Sequence, residues 1–242
     1  MLVPVGLFGA RCPVDSREQK WIEESMGWFR TEFGEGPLRR PVVLPTPDFF
    51  PGPYAGTTAD IPPLLAHLCQ YAAVDPDMVT VELYGDSAEA DLAQAAGLTY
   101  RSDAVAGHYR REAGQAVIGI DQTLVATPER LIATIAHELC HVRLDDVGDD
   151  REDHEPLTDL LTVYLGMGIF TANASFDFHQ DNWRQSTQRL GYLTEPMFGY
   201  GLACYAWLRG ERHPGWAAYL DANPRAFLKR GLRYLAGADR FP

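Results

Sequence analysis

Lysine is almost missing from this 242-residue chain: only Lys20 and Lys229 are present, and arginine supplies nearly all of the positive charge. The positive charge is also outnumbered, because 21 basic residues face 33 acidic ones and the formal net charge is −12. A protein that binds nucleic acid needs a basic surface to neutralise phosphates. We therefore expect no nucleic-acid partner.

No apolar run in the sequence is long enough for a membrane span. The longest, LLTVYLGMGIFTA at 160–172, contains two glycines and falls short of the roughly 20 residues that a transmembrane helix needs. The apolar N-terminus lacks a basic region and has a proline at its fourth position, which is not typical of a signal peptide. These features predict a cytoplasmic protein without a membrane partner.

Cysteines are few and widely spaced: Cys12, Cys69, Cys140 and Cys204 form no C-x-x-C pair. Such thiols in a chain of this length do not indicate a disulfide framework, and we expect them to be reduced. A chain with 46 % hydrophobic residues can instead build a sizeable core. We expect that core to belong to one domain spanning residues 1–242.

Apolar residues recur with helical and strand periods along the chain. The patterns divide it into an N-terminal α/β part (about 1–126), a central pair of helices (about 127–170) and a helical C-terminal part (about 171–242). The predicted fold class is α+β, with a small twisted sheet beside the central helices. The individual predictions are helices at 16–33 (capped by Ser16), 60–73, 87–96, 128–144 and 157–170, and strands at 41–45, 79–84 and 115–122.

The first central helix carries the most informative motif. Its stretch TIAHELCHVRL contains His137, Glu138 and His141 in the order H-E-x-x-H. Successive helical residues are about 100° apart, which places the apolar residues on one face and these three polar residues on another. Two histidines four positions apart lie one turn apart, so both imidazoles can bind one metal ion. Glu138 beside them suits a general base for metal-bound water.

The same motif has a simpler interpretation, in which two histidines and a glutamate lie on a solvated helix face and bind nothing. The surrounding sequence favours the metal site. The helix follows a strand at 115–122, and Thr127 and Pro128 are strong signals for its start. A well-defined amphipathic helix with its polar residues off the core face is the context that an H-E-x-x-H zinc site needs.

A third ligand has to come from elsewhere in the chain. Leu144 and Val147 occupy the positions where a metzincin has glycine and histidine. Glu155 and Asp159 follow instead, one turn apart on the next predicted helix, and Pro156 restricts Glu155 to its first turn. Two histidines and one carboxylate leave a fourth position open for water, as catalytic zinc sites do. From spacing alone, either carboxylate can be the ligand.

Together, His137-Glu138-x-x-His141 and Glu155-x-x-Thr-Asp159 resemble the gluzincin branch of the zincin metallopeptidases, over about residues 115–170. The resemblance implies a zincin-like fold, one Zn²⁺ ion and a peptide or protein substrate. It implies that Glu155 is the third zinc ligand and that Asp159 hydrogen-bonds a ligand histidine. Glu138 then acts as the general base. The alternative is a regulatory or binding protein that keeps the zinc and the scaffold without peptidase activity.

The resemblance also implies a place for the substrate. In zincins an extended peptide pairs with the sheet edge nearest the zinc. We expect the strand at 115–122 to be that edge, with Gly114 and Gly119 keeping it sterically open.

Several other residues are candidates for a catalytic or metal-binding role. Tyr200 is a candidate for stabilising the oxyanion, although core packing is the simpler interpretation of a buried aromatic residue. His154 is an alternative ligand, but a loop histidine is favoured. The acidic residues from Asp145 to Asp153 lack the regular spacing of a calcium loop, which favours a solvated turn.

The roles of Glu155 and Asp159 can be separated by metal affinity. We expect Glu155→Ala to remove one of three protein ligands and to cost more zinc affinity than Asp159→Ala. The loss at Asp159 should be about 10–100-fold, the range typical of a residue that contacts a ligand rather than the metal. Competition with a chromogenic chelator measures both variants in one buffer. A larger loss at Asp159 would reverse the assignment.

Overall fold

The computed structural model describes residues 10–50, 53–84, 107–148, 154–182 and 193–237, without the side chains of 154 and 176–182. The chain forms two compact units. The sheet unit is Thr46–Asp150, and the helical unit combines Met1–Pro45 with Arg151–Pro242. That the whole chain is one domain stays a prediction.

In chain order, the described elements alternate between helices and strands before the chain becomes helical. They are α1 (Ser16–Phe33), α2 (Gly36–Arg39), α3 (Ile61–Ala72), β1 (Val79–Tyr84), β2 (Gly107–Glu112), β3 (Gln115–Asp121), α4 (Pro128–Asp146), α5 (His154–Tyr164), α6 (Gly168–Asn182), α7 (Glu195–Leu208) and α8 (Ala222–Gly237). The fold is thus mixed α+β and mostly helical, with a small sheet, as predicted. The predicted helix at 87–96 lies outside the described residues.

The sheet of the sheet unit has three strands in the order β1-β3-β2. Strand β1 is parallel to β3, whereas β2 is antiparallel to it. Residues Ala116 to Ile120 of β3 are all buried, and Val117, Ile118 and Ile120 supply the β-branched side chains that favour a strand. The predictions of β1 and β3 are confirmed.

The expectation that β3 is a sheet edge was wrong. Strand β2, with the sequence GHYRRE, pairs with β3 on the side opposite β1 and makes β3 the central strand. Gly119 does not keep an edge open either. A Cβ atom there would overlap the ring of His108, the paired residue of β2, so glycine at this position makes room for the imidazole.

Helix α4 packs against α3 and against the sheet. Its apolar face buries Leu131, Ile135 and Leu139 completely. Pro128 occupies the first turn as predicted. The Thr127 hydroxyl, however, donates to the carbonyl oxygen of Leu124 at 3.1 Å and does not cap the helix.

In the helical unit, α1 has the predicted bounds but a different cap. The carboxylate of Asp15 accepts hydrogen bonds from the backbone N–H groups of Arg17 and Glu18, and the Glu18 side chain accepts one from the Asp15 backbone N–H. This capping box makes Ser16 the first helical residue instead of the cap. The buried face of α1 packs against α5 and α7.

The predicted helix at 157–170 is two helices. Gly166 has a φ of 88°, in the left-handed region that glycine adopts most easily, and ends α5 before α6 begins. The carbonyl oxygen of Gly166 accepts a hydrogen bond of 2.9 Å from the Val43 backbone N–H. Val43 belongs to the segment 41–45, which the sequence predicts to be a strand. That prediction is wrong, because the segment pairs with no described strand and Val43 makes this loop contact instead.

All four cysteines lie in the described part of the chain, and none of them forms a disulfide bond there. Among the described helices, none has both the length and the apolarity to cross a bilayer. The cytoplasmic location stays a prediction.

The β2–β3 hairpin gives a test of stability. Ala113 and Gly114 form its two-residue loop, with φ angles of 48° and 89°, as in a type I′ turn. Asparagine tolerates positive φ better than alanine, so we expect Ala113→Asn to raise the free energy of unfolding by about 0.5–1 kcal/mol. Urea denaturation measures this. Ala236→Asn, at an exposed position of helix α8, should give no gain.

Candidate metal centre

Helix α4 brings the two motif histidines together. The Nε2 atoms of His137 and His141 lie 3.1 Å apart, with the ring planes at 78° to each other. A tetrahedral zinc ion with Zn–N bonds of about 2.0–2.1 Å needs two such nitrogens about 3.3 Å apart. Helix spacing and the two side-chain conformations together therefore place two nitrogen ligands at nearly the separation that one ion requires.

The third member of the group is Glu155, in the first turn of α5. One ligand atom from each of His137, His141 and Glu155 lies within 4.8 Å of the other two. Among the described residues, no other group of three histidine, cysteine, aspartate or glutamate side chains converges in this way. The three residues can thus hold one metal ion, with two nitrogen ligands and one oxygen ligand.

Glu138 lies next to the histidines and is only 4 % exposed. It faces Gly107, the first residue of β2. A Cβ atom at Gly107 would lie 2.8 Å from Oε1 of Glu138 and 2.5 Å from Cγ2 of Thr134. Glycine is therefore the residue that lets the strand backbone approach the carboxylate. The motif located Glu138, but nothing in the sequence pointed to Gly107.

Tyr109 of β2 lies beside His141. The two rings are parallel within 4°, and their centroids are 6.2 Å apart. The tyrosine hydroxyl donates to Oδ2 of Asp145 at 2.7 Å and accepts a hydrogen bond of 3.0 Å from Nε of Arg111. Burial, followed by the hydrogen bond to Asp145, raises the pKa of Tyr109 to about 12, so its hydroxyl keeps its proton at neutral pH.

Alternate residues of β2, namely Gly107, Tyr109 and Arg111, contact helix α4. Every second residue points to the same face, and on the face towards α4 these residues meet successive turns of the helix. The last such contact joins Arg111 to Asp146, whose nitrogen and oxygen atoms are 2.6 Å apart. Sequence reasoning missed this strand because GHYRRE contains no alternation of apolar residues. Asp145 and Asp146, which the sequence predicts in an acidic loop, belong to helix α4 and bind β2.

Asp159 lies on α5 and is 4 % exposed. Its Oδ2 accepts a hydrogen bond of 2.9 Å from the backbone N–H of Leu193. The carboxylate therefore ties Leu193, two residues ahead of α7, to helix α5. Its predicted hydrogen bond to a ligand histidine stays a prediction.

Tyr200 is completely buried in α7. Its hydroxyl donates to Oε1 of Glu23 on α1, and burial, with the neighbouring Cys204 and Glu23, raises its pKa above the ordinary value. The contact gives Tyr200 a packing role between two helices, while its catalytic role stays a prediction. The side chain of His154 lies outside the described residues, as do the acidic residues from Asp149 to Asp153.

Comparisons of the chain with family models, curated proteins and solved structures find no match. The resemblance to gluzincins therefore rests on the two sequence motifs and stays a prediction.

The close approach of Gly107 to α4 predicts a steric effect. We expect Gly107→Ala to lower the free energy of unfolding by about 1–3 kcal/mol, the usual cost of overpacking, because Thr134 is short, buried and unable to move aside. Urea denaturation is the measurement. Gly119→Ala is the matched control on the other face of the sheet, where the exposed His108 ring can rotate away. Equal losses for the two variants would contradict the prediction.

Proposed function

We propose that this protein is a zinc-dependent hydrolase, specifically a metallopeptidase of the gluzincin type. One observation carries the proposal: the ligand atoms of His137, His141 and Glu155 converge, and a buried Glu138 adjoins the two histidines on the same helix. A structural metal site needs no carboxylate beside its ligands. A hydrolytic site needs one, because a base has to accept the proton of the attacking water.

The donor set supports zinc as the metal. Calcium and magnesium prefer oxygen ligands, whereas imidazole nitrogens suit zinc and other transition metals. Two histidines and one glutamate are a ligand set that catalytic zinc uses, with the fourth position open. When bound, zinc lowers the pKa of a water molecule and polarises a carbonyl group.

The protein side chains then have separate tasks. His137, His141 and Glu155 hold the ion. Glu138 accepts a proton from the attacking water and passes it to the leaving amine of the peptide. Gly107 has no side chain that would separate β2 from the Glu138 carboxylate. Asp159 has the task of orienting a ligand histidine, as the resemblance implies.

Strand β2 supports a peptide as the substrate. Among the described strands it pairs only with β3, so the backbone groups of its other edge face away from the described sheet. An extended peptide can add to such an edge through main-chain hydrogen bonds. The edge begins at Gly107, against Glu138, which would bring a paired peptide next to the base. We therefore propose that the substrate pairs with β2 and not with β3, which is the central strand.

Removing the base while keeping the metal tests the function. We expect Glu138→Gln to retain zinc and to lower peptide hydrolysis by about 100-fold or more, because the amide cannot accept the proton. His141→Ala should lose both zinc and activity. Elemental analysis measures the metal, and mass spectrometry of a digested peptide library measures cleavage.

Glu129→Gln is the control, since Glu129 is an exposed carboxylate in the first turn of the same helix and should keep full activity. Loss of zinc in Glu138→Gln would make Glu138 a ligand. A wild-type protein that holds zinc and cleaves nothing in the library would support the regulatory or binding protein instead.

A further inference from the structure

We propose that Tyr109 is a positioning residue: its ring fixes the plane of the His141 imidazole, and its hydroxyl ties strand β2 to the last turns of α4. The inference rests on the proposed function in one respect, namely that His141 is a metal ligand. The resemblance to gluzincins does not assign a role to Tyr109, which lies outside the two motifs.

The ring of Tyr109 restricts the orientation of His141. A histidine side chain has a broad range of rotation about its Cβ–Cγ bond, so its ring plane needs a neighbour to define it. The two rings are parallel within 4° at a centroid separation of 6.2 Å, inside the range in which aromatic rings interact. The Nε2 atom of His141 can meet a metal only in a limited range of ring orientations. A flat neighbour parallel to the ring favours one of them.

Tyr109 is itself held in place at the end of its side chain. Asp145 accepts its hydroxyl proton, and Nε of Arg111 donates to the same oxygen. Arg111 also pairs with Asp146, but the two side chains are 40 % and 42 % exposed, so solvent weakens the attraction between their charges. The value of this network is geometric, because Asp145 and Arg111 hold the hydroxyl group and Asp146 holds Arg111. Since the hydroxyl donates its only proton to Asp145, its role is to hold the tyrosine in position.

The same strand also determines the surroundings of the base. Gly107, two residues before Tyr109 and on the same face, lies against the Glu138 carboxylate. Strand β2 therefore touches the proposed base through its backbone and the proposed ligand through an aromatic ring. A shift of β2 that breaks the Tyr109 hydrogen bonds would change its contact with Glu138 and its contact with His141 together.

Three variants test the role of Tyr109. Tyr109→Leu removes the ring, whereas Tyr109→Phe keeps the ring and removes the hydroxyl. Tyr84→Leu is the matched control, because Tyr84 belongs to the same sheet and packs on His108, with ring centroids 5.3 Å apart. His108 precedes Tyr109 on β2 and therefore points to the opposite face of the sheet. Zinc affinity is measured by chelator competition, and the geometry at the metal by the visible absorption of the cobalt-substituted protein. The His141 ring-proton shifts are measured by NMR in the metal-free protein.

We expect Tyr109→Leu to weaken zinc binding about ten-fold, the lower end of the range for residues that orient a ligand. It should also change the cobalt spectrum and move the His141 ring-proton shifts, since the stacked ring is gone. Tyr109→Phe should recover most of the affinity. Tyr84→Leu should leave the affinity within about two-fold, even if it lowers stability as much as Tyr109→Leu.

Wild-type affinity with an unchanged cobalt spectrum in Tyr109→Leu would overturn the proposal. An equal loss of affinity in Tyr84→Leu would do the same, because it would show a general effect of stability. If the wild-type protein binds zinc but cleaves no peptide, the proposed function fails while the affinity test of Tyr109 stands. If it binds no zinc, the NMR shifts decide: unchanged His141 signals in Tyr109→Leu would refute the positioning role.

Discussion

The approach of strand β2 to helix α4 is the contact on which the candidate metal centre depends. Without a strand on that side, the polar face of α4 would be solvated, and Glu138 would be an ordinary surface carboxylate. The close packing at Gly107 keeps Glu138 almost entirely from water. Burial of a carboxylate costs several kcal/mol unless an opposite charge or hydrogen bonds offset it. A divalent ion held by the neighbouring histidines would supply such a charge.

Each contact of β2 with α4 uses a different kind of residue. Gly107 permits backbone contact, Tyr109 offers a flat ring and Arg111 carries a charge to the end of the helix. The three lie on one face because strand residues alternate, and α4 presents its polar residues along the facing stripe. The hairpin turn at Gly114 fixes the register of β2 against β3, so the turn also sets which residues of β2 meet the helix.

Much of the fold and part of the site could be predicted from sequence, because local periodicity and local start signals determined them. The helix at 16–33 repeats apolar residues at helical spacing, and the strand at 79–84 alternates. The strand at 115–121 is instead an apolar run rich in β-branched residues. The H-E-x-x-H spacing places two imidazoles one turn apart in any helix. Pro156 confines Glu155 to the start of the next helix for a similarly local reason.

Only the tertiary structure decided what surrounds those residues. Strand β2 has no apolar alternation that would predict it. It is a strand because it pairs with β3 and because helix α4 covers one of its faces. Gly166 interrupts a helix through its positive φ and a long-range hydrogen bond to Val43, neither of which local sequence reveals. Gly107 and Tyr109, the neighbours of Glu138 and His141, likewise come from a strand about 30 residues earlier in the chain, and local sequence does not reveal such non-local packing. Sequence spacing determined which side chains share a helix face, and the packing of a distant strand determined which of them are buried, because burial depends on partners that are not neighbours in the chain.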